Sequence, residues 1–215
     1  QTVAVLGSGA VGEALANGFL KHGYAVARGS RDPGKLVSWY ERVNDTHATI
    51  GSFREAALAA DLIVLAVKGD VAHVALDQCG HDALAGKVVI DTTNPLAEGP
   101  PVHGVLRFFT SHDESLMERL QEQVPAARFV KAFSSVGAGQ MVDPDYGGQK
   151  PSMFICGNDD AAKREVTAIL EDFGWDVEDM GHAAAARAIE PLCMLWCIPG
   201  FREGHWSHAF KLLRK

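Results

Sequence analysis

The sequence predicts an α/β fold built on a doubly wound, mostly parallel sheet with helices on both faces. Short apolar runs alternate with amphipathic helical segments from residue 3 to about residue 180, which is the pattern of consecutive βαβ units. The runs 62–67 (LIVLAV) and 88–90 (VVI) are apolar at every position, as strands covered on both faces require. Beyond about residue 182 the alternation stops and a helical tail begins.

Each predicted element follows from the period of its apolar residues, about two in strands and about 3.6 in helices. The predicted strands are 3–6, 24–28, 48–50, 62–67, 88–91, 128–133, 153–156 and 176–180. The predicted helices are 11–22, 35–43, 52–59, 71–79, 114–123 and 161–173, and a long loop spans 92–111. Two helices broken near Pro199 and Gly200 are expected over 183–213. The chain therefore divides into a first domain, 1–181, and a C-terminal helical segment, 182–215.

The composition excludes several classes of protein. The chain has 215 residues, with 20 basic and 27 acidic side chains and a formal net charge of −7, so it is a poor candidate for nucleic-acid binding. Its longest apolar runs, 62–67 and 192–198, are far shorter than the ~20 residues of a membrane-spanning helix. We expect neither a nucleic-acid partner nor a membrane partner.

The four cysteines indicate a reducing setting. Cys79, Cys156, Cys193 and Cys197 form no CxxC pair and fit neither a zinc ribbon nor a disulfide scaffold. Cys193 and Cys197 share a face of a predicted helix, where buried thiols are favoured over a metal site. We expect no metal and a cytoplasmic location, the latter also because the chain begins directly in a strand pattern.

A glycine-rich turn between the first strand and the first helix predicts a dinucleotide site. Residues 7–12 read GSGAVG, with Gly7 suited to a tight turn, Gly9 to close approach of a pyrophosphate and Gly12 to packing of helix on strand. The helix N-terminus then offers free N–H groups and its dipole to the phosphates. A turn that merely favours glycine is the alternative, but this position favours a Rossmann-type dinucleotide-binding domain.

The end of the second predicted strand indicates NADP rather than NAD. An NAD site usually has Asp or Glu ~20 residues after the glycines, where it binds the ribose 2′-hydroxyl. This chain has Ser30 and Arg31 there, with Lys35 close behind, so a hydroxyl, a guanidinium and an ammonium can surround a 2′-phosphate. A solvated basic turn, partly neutralised by Asp32, is the alternative.

The reacting end of the cofactor is expected over the carboxyl ends of the strands, in the loops 66–68, 92–95 and 133–138. Asn94 is placed to bind a ribose or the carboxamide and Pro95 shapes the turn, although an Asn-Pro turn without a ligand explains the pair equally well. No motif places a side-chain acid for carbonyl reduction there. The absence of such an acid favours an acceptor that is itself a flat redox ring, because positioning then supplies most of the catalysis. Candidate lining residues, for which core packing is the alternative, are Met194, Leu195, Trp196, Ile198, Pro199, Phe201 and Trp206.

Together these pieces resemble the NADP oxidoreductases dependent on the deazaflavin coenzyme F-420, a family that includes the cytosolic reductase domain of the six-transmembrane metalloreductases. The resemblance covers nearly the whole chain. It is carried by the turn 7–12, by 29–31 (GSR) with Lys35, and by 93–96 (TNPL), 130–133 (VKAF) and 186–192 (ARAIEPL).

The resemblance implies roles for individual residues. It implies pyrophosphate contacts from Ser8, Gly9, Ala10 and Val11, and 2′-phosphate contacts from Ser30, Arg31 and Lys35. It places Ala66 and Val67 beside the adenosine and ribose side, and Asn94 and Ala138 towards the nicotinamide. Hydride would pass directly between stacked nicotinamide and deazaflavin rings, in a cleft closed by the C-terminal helices. Ser134, which we assign to acceptor positioning, stands where deazaflavin enzymes usually carry His and metalloreductase-like members Asn.

These observations predict that residues 1–181 bind NADP(H), that 182–215 close the acceptor cleft, and that the chain is an NADP-dependent oxidoreductase. Its partner is expected to be a small-molecule redox acceptor, with coenzyme F-420 favoured. Two alternatives stay open: an NADPH-dependent flavin- or ferric-reductase-like enzyme with FMN or FAD as acceptor, and a non-catalytic NADP(H)-binding redox sensor. A homodimer is expected.

Overall fold

Six parallel strands form the central sheet of the computed structural model, which describes all of residues 1–215. The strands are β1 (Thr2–Leu6), β2 (Ala25–Gly29), β3 (Ala48–Gly51), β4 (Leu62–Leu65), β5 (Val88–Asp91) and β6 (Arg128–Lys131). Their order in the sheet is β3-β2-β1-β4-β5-β6, so the direction of winding reverses between β1 and β4. Doubly wound sheets bind ligands at such a switch point, outside the carboxyl ends of the strands.

Helices cover both faces of this sheet. The helices are α1 (Ala10–Lys21), α2 (Val37–Val43), α3 (Phe53–Ala59), α4 (Ala72–Cys79), α5 (His81–Leu84), α6 (Leu116–Gln123), α7 (Asp160–Asp172), α8 (Ala186–Ile189) and α9 (Leu192–Glu203). One face is covered by α1, α2 and α7, and the other by α3, α4, α5, α6 and α8.

The two faces have separate cores. Successive residues of a strand point to opposite faces, so Val3 and Val5 enter one cluster of 26 buried residues while Ala4 and Leu6 enter another of 26. β4 is buried at all of its positions. The predicted α/β fold, doubly wound with helices on both faces, is therefore confirmed.

The last two predicted strands form a small sheet of their own. β7 (Ser152–Ile155) and β8 (Asp176–Asp179) pair in parallel and are connected by α7. An isolated antiparallel bridge between Lys131 and Cys156 joins this sheet to the end of β6.

The prediction for the tail was wrong in two respects. The chain breaks between α8 and α9, at Glu190 and Pro191, and not near Pro199, which lies inside α9. Residues 204–215 contain no helix, so the predicted helical segment 182–215 ends at Glu203.

Tertiary packing explains both differences. Gly200, inside α9, is buried against the Trp206 ring, and a methyl group on Gly200 would come within 2.4 Å of that ring. The chain turns back at Gly204, which caps α9 with φ +75°, and then runs to the small sheet without regular secondary structure. There the Phe210 carbonyl accepts a hydrogen bond from the Ser152 N–H at 2.9 Å. These contacts between α9 and its return segment offset the hydrogen bond that a proline removes from a helix.

None of the helices combines the length and the apolar character needed to cross a lipid bilayer.

Candidate functional site

The three glycines of the turn 7–12 lie in different surroundings. Gly7 has φ +142°, and a Cβ there would come within 2.1 Å of the Ala66 carbonyl oxygen. A Cβ on Gly12 would come within 2.5 Å of the Gly7 carbonyl oxygen. A Cβ on Gly9 would meet nothing within 4 Å. Gly7 and Gly12 therefore allow close packing between β1, β4 and α1, whereas Gly9 faces open space where a ligand can approach.

The same turn leaves backbone donors without partners. α1 begins after Gly9, which offers no side-chain cap. No protein group accepts a hydrogen bond from the backbone N–H of Ser8, Gly9 or Ala10, and these residues are exposed. Free N–H groups and the positive end of the helix dipole together fit a phosphate group.

The basic residues that follow β2 lie at the carboxyl ends of the strands, next to the glycine turn that follows β1. β1 and β2 pair in register at Leu6 and Gly29, and the Gly7 N–H donates to the Gly29 carbonyl at 2.9 Å. The Ser30 hydroxyl is buried and accepts a hydrogen bond from the Asp32 N–H at 3.1 Å. Arg31 is exposed next to it.

Neither Arg31 nor Lys35 forms an ion pair, so both charges are available to a ligand. The Asp32 carboxylate, which the sequence suggested as a neutralising group, accepts a hydrogen bond from the Gly34 N–H at 3.1 Å and caps a 3₁₀ turn instead. Both basic side chains are exposed to solvent.

Ala66 and Val67 follow β4 directly beside the glycine turn. The Ala66 N–H donates to the Leu6 carbonyl at 2.8 Å, and the Ala66 carbonyl is the group that excludes any side chain at Gly7. The structure therefore brings the turn 7–12, the basic segment after β2 and the pair 66–67 together at one end of the switch point.

A second group of predicted residues meets at the carboxyl ends of β5 and β6. The Asn94 side-chain Nδ2 donates to the Ser134 carbonyl at 3.4 Å. Asn94 Oδ1 and Ser134 Oγ are buried and have no hydrogen-bond partner. Such polar atoms are expensive to bury unless a ligand completes them, so they fit a polar group held at this point. Pro95 is buried directly after Asn94.

Ala138 and the aromatic tail residues lie on the other side of this second group. Ala138 begins a 3₁₀ turn, Ala138–Gln140. A Cβ on the neighbouring Gly137 would come within 3.0 Å of the Trp196 ring and 3.4 Å of the Trp206 carbonyl oxygen. Trp196 is 6% exposed and belongs to the packing, whereas Trp206 is 43% exposed beside it.

Three charged residues at this end were not predicted to have a role. Lys131, at the end of β6, is 0% exposed, and its ammonium lies 2.8 Å from Asp91 Oδ2 and 2.9 Å from Glu190 Oε1. It also donates to the Thr93 carbonyl at 2.6 Å. Burial by itself lowers the pKa of Lys131, but Asp91 and Glu190 more than reverse this and raise it.

The Lys131 cluster, defined as Lys131, Asp91 and Glu190, ties three parts of the chain together. The Glu190 carboxylate accepts the N–H groups of Leu116 and Met117, at 3.0 Å each, at the start of α6. The Lys131 ammonium is fully buried, with three protein oxygens within 2.9 Å, so it is engaged inside the protein and is not open to a substrate. The cluster therefore positions the loop that carries Asn94. A charged residue at the end of an apolar strand was the signal available in the sequence.

Comparison with known proteins agrees with this geometry. A model of the family described as NADP oxidoreductase coenzyme F420-dependent matches residues 2–95. A crystal structure from Arthrobacter sp. FB24, described as a candidate F420-dependent NADP-reductase, is 33% identical, has a TM-score of 0.91, and the match covers 99% of each chain. The structure of the hypothetical protein SMa0349 from Sinorhizobium meliloti is 27% identical, with a TM-score of 0.75, over 100% of this chain and 96% of that one.

Metalloreductase STEAP3 of Rattus norvegicus is 29% identical over 201 residues, which are 92% of this chain and 38% of the relative. The chain thus spans well under half the length of the curated relatives it matches. With a 33% identical relative along practically all of its length, and the family model on residues 2–95, the chain belongs to the coenzyme F420-dependent NADP oxidoreductase family.

Proposed function

We propose that this protein transfers hydride between NADP(H) and a small flavin-like acceptor, and that the acceptor is coenzyme F420. The observation that carries the proposal is a pair of sites, at the carboxyl ends of the strands, whose polar groups have no hydrogen-bond partner in the protein. At one end the N–H groups of Ser8, Gly9 and Ala10 have no partner. At the other, Asn94 Oδ1 and Ser134 Oγ are buried without one. A dinucleotide can complete the first site and reach Asn94 in the second, which leaves Ser134 Oγ for the acceptor.

In this proposal the residues of the chain bind and orient rather than react. The free N–H groups of the turn 7–12 bind the pyrophosphate, and Ser30, Arg31 and Lys35 bind the 2′-phosphate. Ala66 and Val67 lie along the adenosine and ribose side. Asn94 and Ala138 hold the nicotinamide end, with Pro95 fixing the Asn94 turn. When bound, the nicotinamide supplies the hydride and the acceptor ring receives it.

The acceptor side of the proposed site is formed by Ser134 and the aromatic tail. Trp196 packs on Gly137, one residue before Ala138, and Trp206 beside it is partly open to solvent. A flat ring can stack in such surroundings. Ser134 Oγ offers one hydrogen bond to it, which makes this hydroxyl the residue proposed to position the acceptor.

The proposal is tested by following NADPH oxidation by absorbance with three acceptor conditions in parallel. These are coenzyme F420, FMN with a ferric chelate, and no acceptor. We expect rapid turnover with F420, and a Ser134→Ala variant with a raised KM for F420 and an unchanged Kd for NADPH. Turnover with FMN and iron but none with F420 would contradict the proposed acceptor while leaving the NADP site intact.

A flavin- or ferric-reductase-like activity is the second candidate. It is supported by the metalloreductases STEAP3 and STEAP2, which are 29% and 28% identical to this chain. Only the FMN and iron arm of the assay would then turn over. Binding of NADPH without turnover in any arm would instead favour a redox sensor.

The proposal also includes a homodimer in a reducing, cytoplasmic setting. Leu195, Phe201 and Trp206, on α9 and just after it, are 53%, 45% and 43% exposed, which is unusual for large apolar side chains gathered in one short segment. All four cysteines are free thiols. Light scattering on the purified protein measures its mass, and a monomer at micromolar concentration would contradict the homodimer.

A further inference from the structure

One arginine of the β2 strand is buried beneath the phosphate turn. Arg28 is 1% exposed, and its side chain lies on the face of the sheet that α1 covers, the face of Val26 two residues before it. Its Nε donates to the Gly7 carbonyl at 3.3 Å, and its Nη2 donates to the Gly9 carbonyl at 3.2 Å. The guanidinium also lies 4.9 Å from the centre of the Trp39 ring. None of the sequence motifs assigns this residue a role in binding.

These hydrogen bonds help to hold the orientation of the turn. In a planar trans peptide the carbonyl and the following N–H point in opposite directions. Arg28 binds the Gly7 carbonyl, and it shares the Gly9 carbonyl with the Glu13 N–H, which donates at 3.0 Å. The N–H groups of Ser8 and Ala10 therefore point away from the guanidinium. These are two of the N–H groups that have no protein partner.

The charge of Arg28 is only weakly neutralised. Its nearest carboxylate is Glu13, with Oε2 3.9 Å from Nη1, and Glu13 is closer to the surface residue Arg42, at 2.8 Å. Burial lowers the pKa of the Arg28 guanidinium while Glu13 opposes that shift, and an arginine stays protonated at neutral pH in either case. A nearly buried positive charge therefore lies directly behind the open side of Gly9.

We propose that Arg28 is a positioning residue of the pyrophosphate site, which orients the N–H groups of the turn and adds a buried positive charge behind the bound phosphates. The inference rests on the proposed dinucleotide site but not on the identity of the acceptor. It also separates two contributions to affinity. Arg28 acts on the pyrophosphate that NADPH and NADH share, whereas Arg31 acts on the 2′-phosphate that only NADPH has.

The test measures dissociation constants for three probes with four proteins, without any acceptor. The probes are NADPH, NADH and adenosine 2′-monophosphate, which carries the 2′-phosphate but no pyrophosphate. The proteins are the wild type, Arg28→Met, Arg28→Lys and Arg42→Met. Arg42→Met is the matched control, because it also removes an arginine next to Glu13 but one that does not reach the turn.

We expect Arg28→Met to raise the dissociation constants of NADPH and NADH by the same factor. That factor should be roughly tenfold to a hundredfold, the range for losing charged hydrogen bonds. Its affinity for adenosine 2′-monophosphate should stay within about twofold of wild type. Arg28→Lys, which keeps the charge but not the planar fork, should recover part of the loss. Arg42→Met should bind all three probes like the wild type.

Two results would overturn the inference. One is Arg28→Met binding NADPH and NADH as tightly as the wild type. The other is an equal loss for all three probes in both Arg28 variants, because that would mean general damage to the domain. If wild type itself bound neither dinucleotide, the proposed function would fail before Arg28 was tested.

Discussion

Gly7 and Gly9 lie two residues apart in one turn, yet a methyl group added to each would meet different surroundings. Gly7 has φ +142° and no room beside the Ala66 carbonyl, whereas Gly9 has open space. The expected consequences differ in kind: a substitution at Gly7 damages the fold, and a substitution at Gly9 damages only ligand binding.

We expect Gly7→Ala to lower the free energy of unfolding by about 1–3 kcal/mol, because alanine in that backbone region is strained. Gly9→Ala should leave the unfolding free energy within about 0.5 kcal/mol of wild type. It should weaken the binding of NADPH, because its methyl group would enter the space proposed for the phosphates. Chemical denaturation and NADPH titration measure both. Equal stabilities of the two variants would contradict the difference in packing.

Arg31 is the residue expected to distinguish the two dinucleotides. It is exposed and has no ion pair, so Arg31→Ala removes no contact that holds the fold. We expect NADPH binding to weaken by ~1.5–3 kcal/mol, the range for losing a charged hydrogen bond, with NADH hardly affected. Titration with each cofactor measures this. Equal losses for both cofactors would show that the basic turn does not select NADP.

Elements far apart in the sequence meet at the Lys131 cluster. Lys131 ends β6, Asp91 ends β5, and Glu190 separates α8 from α9 while binding the first N–H groups of α6. Removing one member of such a buried group leaves charges without partners, which is more damaging than replacing the whole group.

We expect Lys131→Met to lower the free energy of unfolding by about 3–5 kcal/mol, because it would leave two buried carboxyl groups, Asp91 and Glu190, without their cation. Lys163→Met is the control. Lys163 also contacts two carboxylates, but Asp160 and Asp179 are 79% and 47% exposed, so water can replace the lysine and the loss should be about 1 kcal/mol or less. Urea unfolding compares the two variants, and similar losses would contradict a special role for the cluster.

Burial across the whole molecule divides the four thiols into two classes. Burial raises the pKa of Cys79 and of Cys156 to about 12. Cys193 and Cys197 are one helical turn apart in α9, and the interaction between their side chains raises the pKa of Cys193 and lowers that of Cys197. Cys197 is also the only one of the four that is partly exposed.

The thiolate is the reactive form of cysteine. Because the pKa of Cys197 is lowered, a larger fraction of this thiol is ionised near neutral pH than of an ordinary cysteine. We therefore expect iodoacetamide to label Cys197 first in the native protein at about pH 8 and to leave Cys79 and Cys156 unlabelled. Peptide mass spectrometry after short exposures measures the order. A Cys197→Ser variant should lose the fast phase, and rapid labelling of Cys79 would contradict the burial described here.

The alternation of strands and helices was readable from local periodicity, and so the sheet and nearly every element were predicted close to their actual bounds. The tail was not. Pro199 is a local signal for a helix break, but α9 continues through it because Trp206, which follows the helix and folds back on it, packs against Gly200. Contacts between a helix and a returning segment leave no periodic pattern in the sequence.

The sequence alone determined the fold class, the glycine turn with its dinucleotide chemistry and the basic residues that favour NADP, because each depends on residues close together in the chain. Only the tertiary structure decided that Arg28 lies behind the turn and that Lys131, Asp91 and Glu190 meet in the interior. The physical reason is the same in both cases. A buried charge is stable only where distant segments bring it hydrogen bonds and partners, and that depends on how the strands and helices pack together.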